Sequence, residues 1–328
     1  MVETIQHSNN ITIQNCIARN NSNNYKAEII AGLTDTQKRI SSSLFYDEIG
    51  SRLFEKITKL SEYYPPRIEK PLLEKLAEHL RSELDNIDLI EIGSGDCSKI
   101  SILLDGVIKF SSIRYIPFDI SKNAIIKSAE ILTNKYGSLK IHGMVADFYT
   151  QLGLIPNSKR RIFCFFGSTI GNFDRDEAKI FLKEFSNNMN QNDYLIIGFD
   201  MVKSVGILHR AYNDEQGITA KFNQNILNVV NKQIASNFNT EDFEHYAFYN
   251  AGKNRIEMHL QAKREITLSS PNLPDIICIG KGETIHTENS YKFTNQMIED
   301  LVDSSDLCIK ELFSDDEQWF TEVLLTKK

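Results

Sequence analysis

The middle of the chain alternates short apolar runs with segments predicted to be helical. The predicted strands begin near Leu89, Ile113, Ile141, Arg161 and Tyr194. Helices are predicted before the first of these strands, from Ile68 to Leu84, and between the last two, from Arg175 to Met189. This alternation predicts a parallel sheet with helices on both faces.

The pattern changes after Val202. A long helix is expected from Thr219 to Ser236, and a hairpin with arms at 243–249 and 255–263 follows it. The second arm alternates polar and apolar residues, as a strand with one solvated face does. The earlier pattern then resumes, with a helix over 294–304 and strands over 307–313 and 319–325.

These changes define a predicted domain organisation. Residues 67–202 and 292–328 form the sheet domain, and residues 20–66 and 203–291 form an inserted α+β lobe. The first forty residues are rich in Asn, Ser and Gln, and residues 1–19 are predicted to be a flexible tail, with one short strand possible at Ile11–Ile13.

Charge and hydropathy argue against two classes of partner. The net charge of -7 and the absence of a Lys/Arg-rich block argue against nucleic acid, because binding a phosphate backbone needs a basic surface. No long apolar run and no leader-like segment is visible, so we expect no membrane insertion and a cytoplasmic protein.

Cysteine and histidine usage gives no sign of a disulfide framework or a metal site. The five cysteines form no C-x-x-C pair, which favours reduced thiols. The seven histidines show no metal-ligand spacing. We therefore expect no metal. We also expect a monomer, and the acidic net charge favours a small-molecule substrate.

A glycine turn, Gly93, Ser94 and Gly95, follows the first strand of the sheet. Glycines at such a turn let backbone NH groups approach a ligand that a Cβ would hold away. A dinucleotide fingerprint needs a third glycine three residues after Gly95, but Ser98 stands there. The turn therefore favours a nucleotide-type cofactor without a pyrophosphate.

The ends of the next two strands point to the same cofactor. Asp119 ends the second strand, where a carboxylate can accept both hydroxyls of a ribose. Asp147 and Phe148 end the third strand, as a hydrogen-bond acceptor and an apolar wall for adenine. Together these features predict an S-adenosylmethionine (SAM) site. The fold class is accordingly α/β, a Rossmann-like class I SAM methyltransferase sheet with the inserted lobe.

Residues outside the cofactor turn suggest a substrate site. Asn172 ends Gly167–Asn172, which follows the fourth strand, and it either caps the next helix or donates its amide to a substrate carboxylate. The tyrosines Tyr46 and Tyr63 lie in polar loops, as packing residues or as a lid. In the inserted lobe, the phenol of Tyr212 can reach a substrate anion. Glu288 is either a solvated carboxylate, which is the usual case, or a buried one that would select a cationic or NH-donating group.

A series of ordered strings carries a family resemblance from about Tyr25 to Leu325. The strings are Phe45–Asp47, Gly50–Ser51, Leu53–Glu55, Glu62–Pro65, Glu91–Gly95, Gly167–Asn172, Ala211–Asp214, Gly217–Ala220, Phe222–Asn223, Arg255–Leu260 and Gly282–Glu288. With them the chain resembles the L-histidine Nα-methyltransferases of ergothioneine biosynthesis, a family of histidine-specific SAM-dependent methyltransferases. The resemblance implies three methylations of the histidine α-amine, giving the betaine hercynine.

The resemblance also implies roles for individual residues. It implies that SAM is bound by the glycine turn with Lys99, Asp119, Asp147 and Phe148. It implies that the substrate is bound by Tyr63, Asn172, Tyr212, Phe222, Met258, Glu288 and Ser290. Asn172 and Tyr212 would hold the carboxylate, and Glu288 and Ser290 the imidazole. Tyr46 and the backbone of Gly167 would lie beside the reacting amine.

Two alternatives stay open. One is a methyltransferase of another, aromatic amino acid, against which the pair Glu288 and Ser290 counts. The other is a SAM-binding protein without turnover, which would keep the glycine turn and Asp119 but need not keep Asn172, Tyr212 and Glu288 together.

Overall fold

The computed structural model describes residues 3–17, 21–81, 86–107 and 112–328. The chain divides into two compact units. The first unit consists of Met1–Ala18, Pro66–Met201 and Phe293–Lys328. The second consists of Arg19–Pro65 and Val202–Lys292.

The regular elements are numbered along the chain. The strands are β1 (Glu3–Gln6), β2 (Ile11–Asn15), β3 (Ile87–Ile92), β4 (Arg114–Asp119), β5 (Lys140–Val145), β6 (Arg160–Phe165), β7 (Tyr194–Asp200), β8 (Phe243–Asn250), β9 (Arg255–Ala262), β10 (Ile266–Leu268), β11 (Ile277–Ile279), β12 (Thr284–Tyr291), β13 (Leu307–Ser314) and β14 (Phe320–Lys327). The α-helices are α1 (Asn21–Thr34), α2 (Glu48–Ile57), α3 (Pro65–Leu80), α4 (Ser98–Val107), α5 (Lys122–Lys135), α6 (Arg175–Asn188), α7 (Val205–Tyr212), α8 (Ile218–Ile234) and α9 (Asn295–Asp303).

The first unit is built on one sheet with the strand order β1-β2-β5-β4-β3-β6-β7-β14-β13. The strands from β2 to β7 are parallel, whereas β14 runs antiparallel to β7. The chain passes from β3 to β4 on one side of β3 and later returns to β6 on the other side. The strand order therefore reverses at β3. Ligands of open α/β sheets bind outside the carboxyl ends of strands at such a point.

The predicted flexible tail is wrong for residues 3–17. Strands β1 and β2 pair with each other, and β2 extends the sheet beside β5. Ile11 and Ile13 are buried in the core of the unit, and the burial of these alternating apolar side chains stabilises β2 between β1 and β5. The predicted tail residues 1, 2, 18 and 19 lie outside the described residues.

Helix α3 begins earlier than predicted. The sequence predicts a rigid turn at Pro65 and Pro66 and a helix from Ile68, whereas the helix begins at Pro65 itself. Proline is tolerated in the first turn of a helix because the NH groups there have no partner within the helix. The predicted helix positions 82–84 lie outside the described residues.

The second unit is built on the antiparallel sheet β12-β9-β8. The hairpin predicted from the polar–apolar alternation is present as β8 and β9. Helix α8 packs on this sheet and also on α2. On α8, the buried ring of Phe222 stacks on Phe45 with 4.5 Å between ring centroids.

Candidate cofactor and substrate sites

The glycine turn after β3 leaves space for a ligand. Gly93 and Gly95 have φ angles of +69° and +50°, which L side chains rarely adopt. A Cβ added to Gly93 would meet no atom within 4 Å. The adjacent Ser94 hydroxyl is buried and forms no hydrogen bond with the described residues. Buried polar groups are normally hydrogen-bonded, so the open space at Gly93 beside the unsatisfied Ser94 hydroxyl suits a bound polar ligand.

Asp119, at the end of β4, faces the glycine turn. Its carboxylate accepts hydrogen bonds from the backbone NH of Ser121 at 2.8 Å and of Gly95 at 3.3 Å. Burial raises the pKa of Asp119, and the amide hydrogen bonds lower it. Each carboxylate oxygen can accept a further hydrogen bond, so the group suits the two hydroxyls of a ribose.

Asp147 and Phe148 follow β5 and are half-buried. The Asp147 carboxylate accepts a hydrogen bond from the NH of Tyr149 at 2.9 Å. The ring of Phe148 stacks on Tyr149, with 4.6 Å between centroids, and contacts the edge of Phe165 at 5.9 Å. This packing fixes one face of the Phe148 ring and makes it a firm apolar wall.

A buried glutamate connects two of the predicted site residues. Glu69, on α3, accepts a hydrogen bond from the NH of Gly167 at 2.6 Å and pairs with the Lys99 ammonium at 2.8 Å. Gly167 has a φ angle of +74°, and a Cβ there would lie 2.5 Å from the Lys99 nitrogen. The sequence reasoning missed Glu69. A signal existed, since Leu72, three positions later, shares its buried helix face.

Glu322, on β14, is a second buried carboxyl in this unit. Neither of its oxygens receives a hydrogen bond from an NH or hydroxyl group of the described residues. Burial raises the pKa of Glu322 well above its usual range, and the charge of Glu69 raises it further, against the opposing effect of Lys99. The folded chain therefore favours the protonated form of Glu322.

Glu322→Gln is expected to be more stable than the wild type, by a margin that grows as the pH rises. A raised pKa in the folded state means that wild-type stability falls once the pH exceeds the unfolded value of about 4.3. Glutamine is uncharged and nearly isosteric, so the variant avoids this loss. Melting temperatures of variant and wild type should diverge by about 2 °C or more between mildly acidic and mildly alkaline buffer. The exposed Glu317→Gln is the control, and parallel curves for Glu322→Gln would contradict the expectation.

Asn172 lies at the end of a short 3-10 helix, Thr169–Asn172, after β6. The sequence analysis left open the possibility that Asn172 caps the following helix. That reading is wrong, because Asp174 caps α6 by accepting hydrogen bonds from the NH groups of Asp176 and Glu177. The half-buried Asn172 amide forms no hydrogen bond within the described part of the chain. It can therefore bind a ligand.

In the second unit, Tyr212 and Ser290 are in direct contact. The Tyr212 hydroxyl donates to the Ser290 hydroxyl at 2.6 Å. Lys292, which is 1% exposed, donates to Ser290 at 2.7 Å and to the Tyr212 hydroxyl at 3.1 Å. The sequence reasoning missed Lys292. Its position two residues after Ser290 and four after Glu288 was the available signal, because alternate residues of a strand share a face.

A β-bulge determines which way Glu288 points. His286 pairs with His259 across the sheet and Glu288 pairs with Met258, so Thr287 is an extra residue in β12. Strict alternation would place Glu288 on the face of His286, whereas the bulge moves it to the face of buried Met258. Thr287 fixes the bulge through hydroxyl contacts with Asn223 Oδ1 at 2.7 Å and the Met258 carbonyl at 3.0 Å.

The Glu288 carboxyl is buried and receives no hydrogen bond from the described residues. Burial raises its pKa to about 7, and the Lys292 charge opposes that rise. Its neighbours on this face are Met258 and Ser290. A buried carboxylate without a donor is costly, so a ligand that donates an NH would stabilise it.

Four predicted aromatic residues of this unit pack in two pairs. Tyr46, which is exposed, packs edge-on against the buried ring of Phe222, with 6.0 Å between the ring centroids. Tyr63 packs edge-on against Tyr212 at 6.3 Å, and Phe54 contacts both Tyr46 and Tyr63. The predicted residues thus form two sets, one within each unit.

Thr287→Val is expected to disturb Glu288 through the bulge. Valine has the same shape but cannot donate, so it leaves the buried Asn223 oxygen short of a partner and destabilises the chain by about 1–3 kcal/mol. For histidine and SAM, the substrate and cofactor that the resemblance implies, the KM for histidine should rise severalfold, while the Kd for SAM stays unchanged. Thr284→Val, on the same strand, is the control, because its hydroxyl forms no hydrogen bond with the described residues. An unchanged KM would show that the bulge does not position Glu288.

Further observations concern metal ligands, membrane spans and cysteines. No group of three or more metal-ligating side chains occurs among the described residues. Within those same ranges, every helix is too short or too polar to cross a lipid bilayer. The five cysteines are unpaired thiols.

The parallel sheet, the glycine turn after β3 and Asp119 at the end of β4 define a class I SAM-dependent methyltransferase. Its fold is similar to that of the solved mitomycin 7-O-methyltransferase MmcR, with a TM-score of 0.50 over 94% of this chain and 68% of the other, at 10% identity. The open cradle at Gly93, the buried Ser94 hydroxyl and the Asp119 carboxylate fit SAM, which is the cofactor of this family.

The chain belongs to the family of histidine-specific, SAM-dependent methyltransferases, whose model matches residues 25–327. It is 35% identical to histidine N-alpha-methyltransferase of Mycobacterium tuberculosis (strain CDC 1551 / Oshkosh), over 83% of this chain and 85% of the relative. It is 30% identical to ergothioneine biosynthesis protein 1 of Schizosaccharomyces pombe, over 88% of this chain and 39% of the relative. The predicted family, fold class and cofactor are confirmed.

Proposed function

We propose that this enzyme methylates the α-amine of L-histidine three times, with SAM as methyl donor, and so makes hercynine for ergothioneine biosynthesis. The observation that carries the proposal is the buried carboxyl of Glu288, which lacks a hydrogen-bond donor and shares a strand face with the Ser290 hydroxyl. An imidazole ring has two nitrogens that suit this pair. The family membership supports the same substrate.

The first unit is the proposed SAM-binding domain and the second the proposed substrate-binding lobe. The glycine turn and Asp119 would bind the cofactor, with Lys99, Asp147 and Phe148 beside it. Bound SAM supplies an electrophilic sulfonium methyl group. The remaining task of the chain is to hold a neutral amine in line with that methyl group and to exclude water.

The substrate contacts are proposed to hold histidine at both ends. Glu288 and Ser290 would bind the imidazole, and Asn172 and Tyr212 would bind the carboxylate. For Tyr212 this requires its hydroxyl hydrogen to turn from Ser290 to the substrate. Anchors at both ends survive each methylation, which suits three successive transfers.

The remaining proposed contacts surround the ring and the amine. Phe222 and Met258 would form apolar walls, with Tyr63 beside the imidazole. Tyr46 and the backbone of Gly167 would lie next to the amine, whose proton would leave to solvent.

The chain is further proposed to act as a monomer in the cytoplasm. The five unpaired thiols support a reducing compartment. The acidic net charge of -7 supports a small-molecule substrate over nucleic acid.

The test of the proposed function is turnover with SAM and each amino acid in turn, followed by mass spectrometry. Histidine alone is expected to give mono-, di- and trimethylated products. Preferred methylation of tryptophan or phenylalanine would favour the aromatic alternative. SAM binding without methylation of any amino acid would favour a non-catalytic role.

The proposed carboxylate contact predicts the behaviour of truncated substrates. Histamine and histidinamide lack the carboxylate and should be methylated at least about tenfold more slowly than histidine at equal subsaturating concentration. Asn172→Ala should raise the KM for histidine but leave the Kd for SAM unchanged. The exposed Asn157→Ala is the control. Histamine turnover at the histidine rate would refute this contact.

A further inference from the structure

His245, on β8, connects three elements of the second unit. It lies between Phe243 and Ala247, two buried residues that share its face of the strand. Its Nε2 lies 2.8 Å from the carbonyl oxygen of Tyr212, at the end of α7. Its Nδ1 lies 2.9 Å from the amide nitrogen of Asn223, on α8. One imidazole ring therefore links β8 to both helices.

Two backbone carbonyls fix the directions of these hydrogen bonds. A carbonyl oxygen can only accept, so Nε2 of His245 carries the hydrogen that faces Tyr212. The amide nitrogen of Asn223 also donates to the His259 carbonyl at 2.9 Å, which places the NH₂ group of Asn223 beside His245. Nδ1 of His245 is then the acceptor, and the ring is neutral. Burial lowers the pKa of His245, against the opposing effects of the Tyr212 carbonyl and the Asp214 charge.

The orientation of Asn223 reaches the β-bulge in β12. With its NH₂ group directed at His245, Asn223 presents Oδ1 to the Thr287 hydroxyl, which donates to it at 2.7 Å. Thr287 is the extra residue of the bulge, and Glu288 follows it directly. The other nitrogen of His245 holds the backbone of Tyr212, whatever group the Tyr212 hydroxyl donates to. His245 is therefore linked to the supports of two proposed substrate contacts.

We propose that His245 is a specificity-determining positioning residue for the proposed substrate contacts. Its Nε2–H holds the end of α7, which carries Tyr212. Its Nδ1 holds the amide of Asn223, and through the bulge at Thr287 this orients Glu288. The proposal rests on the proposed function, in which Tyr212 binds the substrate carboxylate and Glu288 the imidazole. The two nitrogens of one ring thus act on opposite ends of the substrate.

Two variants separate the two nitrogens. In His245→Asn the shorter amide offers an acceptor at the position of Nδ1, so it keeps the contact with Asn223 and loses the one with Tyr212. In His245→Gln the longer amide offers a donor at the position of Nε2, so it keeps the contact with Tyr212 and loses the one with Asn223. His245 lines a cavity of about 370 Å³ with Asp214 and Gln224, which leaves space for these changes in shape.

The experiment measures calorimetric affinities for histidine, histamine and phenylalanine, with the enzyme saturated with S-adenosylhomocysteine and weak ligands measured by competition. Histamine lacks the carboxylate, and phenylalanine lacks the imidazole. His245→Asn should lower the preference for histidine over histamine about threefold or more and leave the preference over phenylalanine within about twofold. His245→Gln should do the reverse. Adding Thr287→Val to His245→Gln should lower the preference over phenylalanine no further, because both changes act on one contact.

A spectroscopic measurement tests the assigned hydrogen positions. In wild type with ¹⁵N-labelled histidine, the NMR signals of His245 are identified by their loss in either variant. They should show a neutral ring with its hydrogen on Nε2 and a bare Nδ1. A ring with its hydrogen on Nδ1 would overturn the proposal.

A control and the pattern of the two preferences keep the outcomes distinct. Gln224→Ala, in the same cavity, loses a hydrogen bond to the Phe243 carbonyl at 2.8 Å and should leave both preferences unchanged. A merely structural role of His245 would lower the melting temperature and move both preferences together or neither, which would refute the inference. Each variant tests one nitrogen, so either of them is decisive if the other does not fold. Failure of the wild type to bind histidine would refute the proposed function itself.

Discussion

Alanine at Glu288 is expected to lower kcat/KM for histidine by about 100-fold or more, because a buried imidazole NH then loses a charge-assisted acceptor. The same change should relax discrimination, since a site without the carboxylate no longer requires a donor from its ligand. Competition between histidine, tryptophan and phenylalanine, in wild type and variant, measures both effects. The Kd for SAM should be unchanged in the variant.

Glu283→Ala provides a matched control for this change. Glu283 precedes the same strand, but it forms an ion pair with Lys38 at 2.7 Å and is not buried. Its loss should leave the histidine preference intact. If Glu288→Ala keeps the full preference for histidine, another residue recognises the ring and the substrate reverts to an unspecified amino acid.

The raised pKa of Glu288 adds a pH dependence to the same prediction. With a pKa of about 7 in the free enzyme, the acceptor form is depleted as the pH falls below neutrality, and histidine affinity should fall with it. Histidine itself also titrates in this range. Glu288→Gln keeps an acceptor oxygen and removes the titrating group, so the difference between the two pH profiles should isolate Glu288.

Sequence patterns brought out the residues proposed to bind the cofactor because their signals are local. A glycine pair after an apolar strand and an acid ending the next strand need only strand order to bring them together, and Gly95 does contact Asp119. The hairpin of β8 and β9 was equally visible, since alternation and a polar turn specify it without distant contacts.

The positions of the proposed substrate contacts depend on tertiary structure that hydrophobic periodicity does not reveal. Alternation from Ile285 places Glu288 on the wrong face, and only the bulge at Thr287 corrects it. Charged residues such as Lys292 and Glu322 are usually solvated, and their burial follows from which elements pack over them. Strand β2 was underestimated for a related reason, because its short apolar segment is stabilised by pairing with β5.

Asp119→Asn is expected to weaken SAM binding by about 10- to 150-fold, which corresponds to about 1.5–3 kcal/mol for a charged hydrogen bond lost. Asparagine keeps the size of the side chain and one acceptor oxygen. It replaces the other oxygen with an NH₂ group, which cannot accept from a ribose hydroxyl. Calorimetric titration with SAM measures the change, and kcat at saturating SAM should fall less than kcat/KM.

The size of this effect separates a cofactor carboxylate from one that only closes the turn. Asp119 also accepts from the NH groups of Ser121 and Gly95, so a structural role alone would lower stability in the variant. A lowered melting temperature with unchanged SAM affinity would therefore remove Asp119 from the ribose. Asp105→Asn, which loses surface contacts to Lys135 and Tyr136, controls for the loss of a charge in the same unit. NAD serves as the second ligand. Ser98 stands where a dinucleotide site needs glycine, so we infer a cofactor without a pyrophosphate. An affinity for NAD close to that for SAM would contradict this inference.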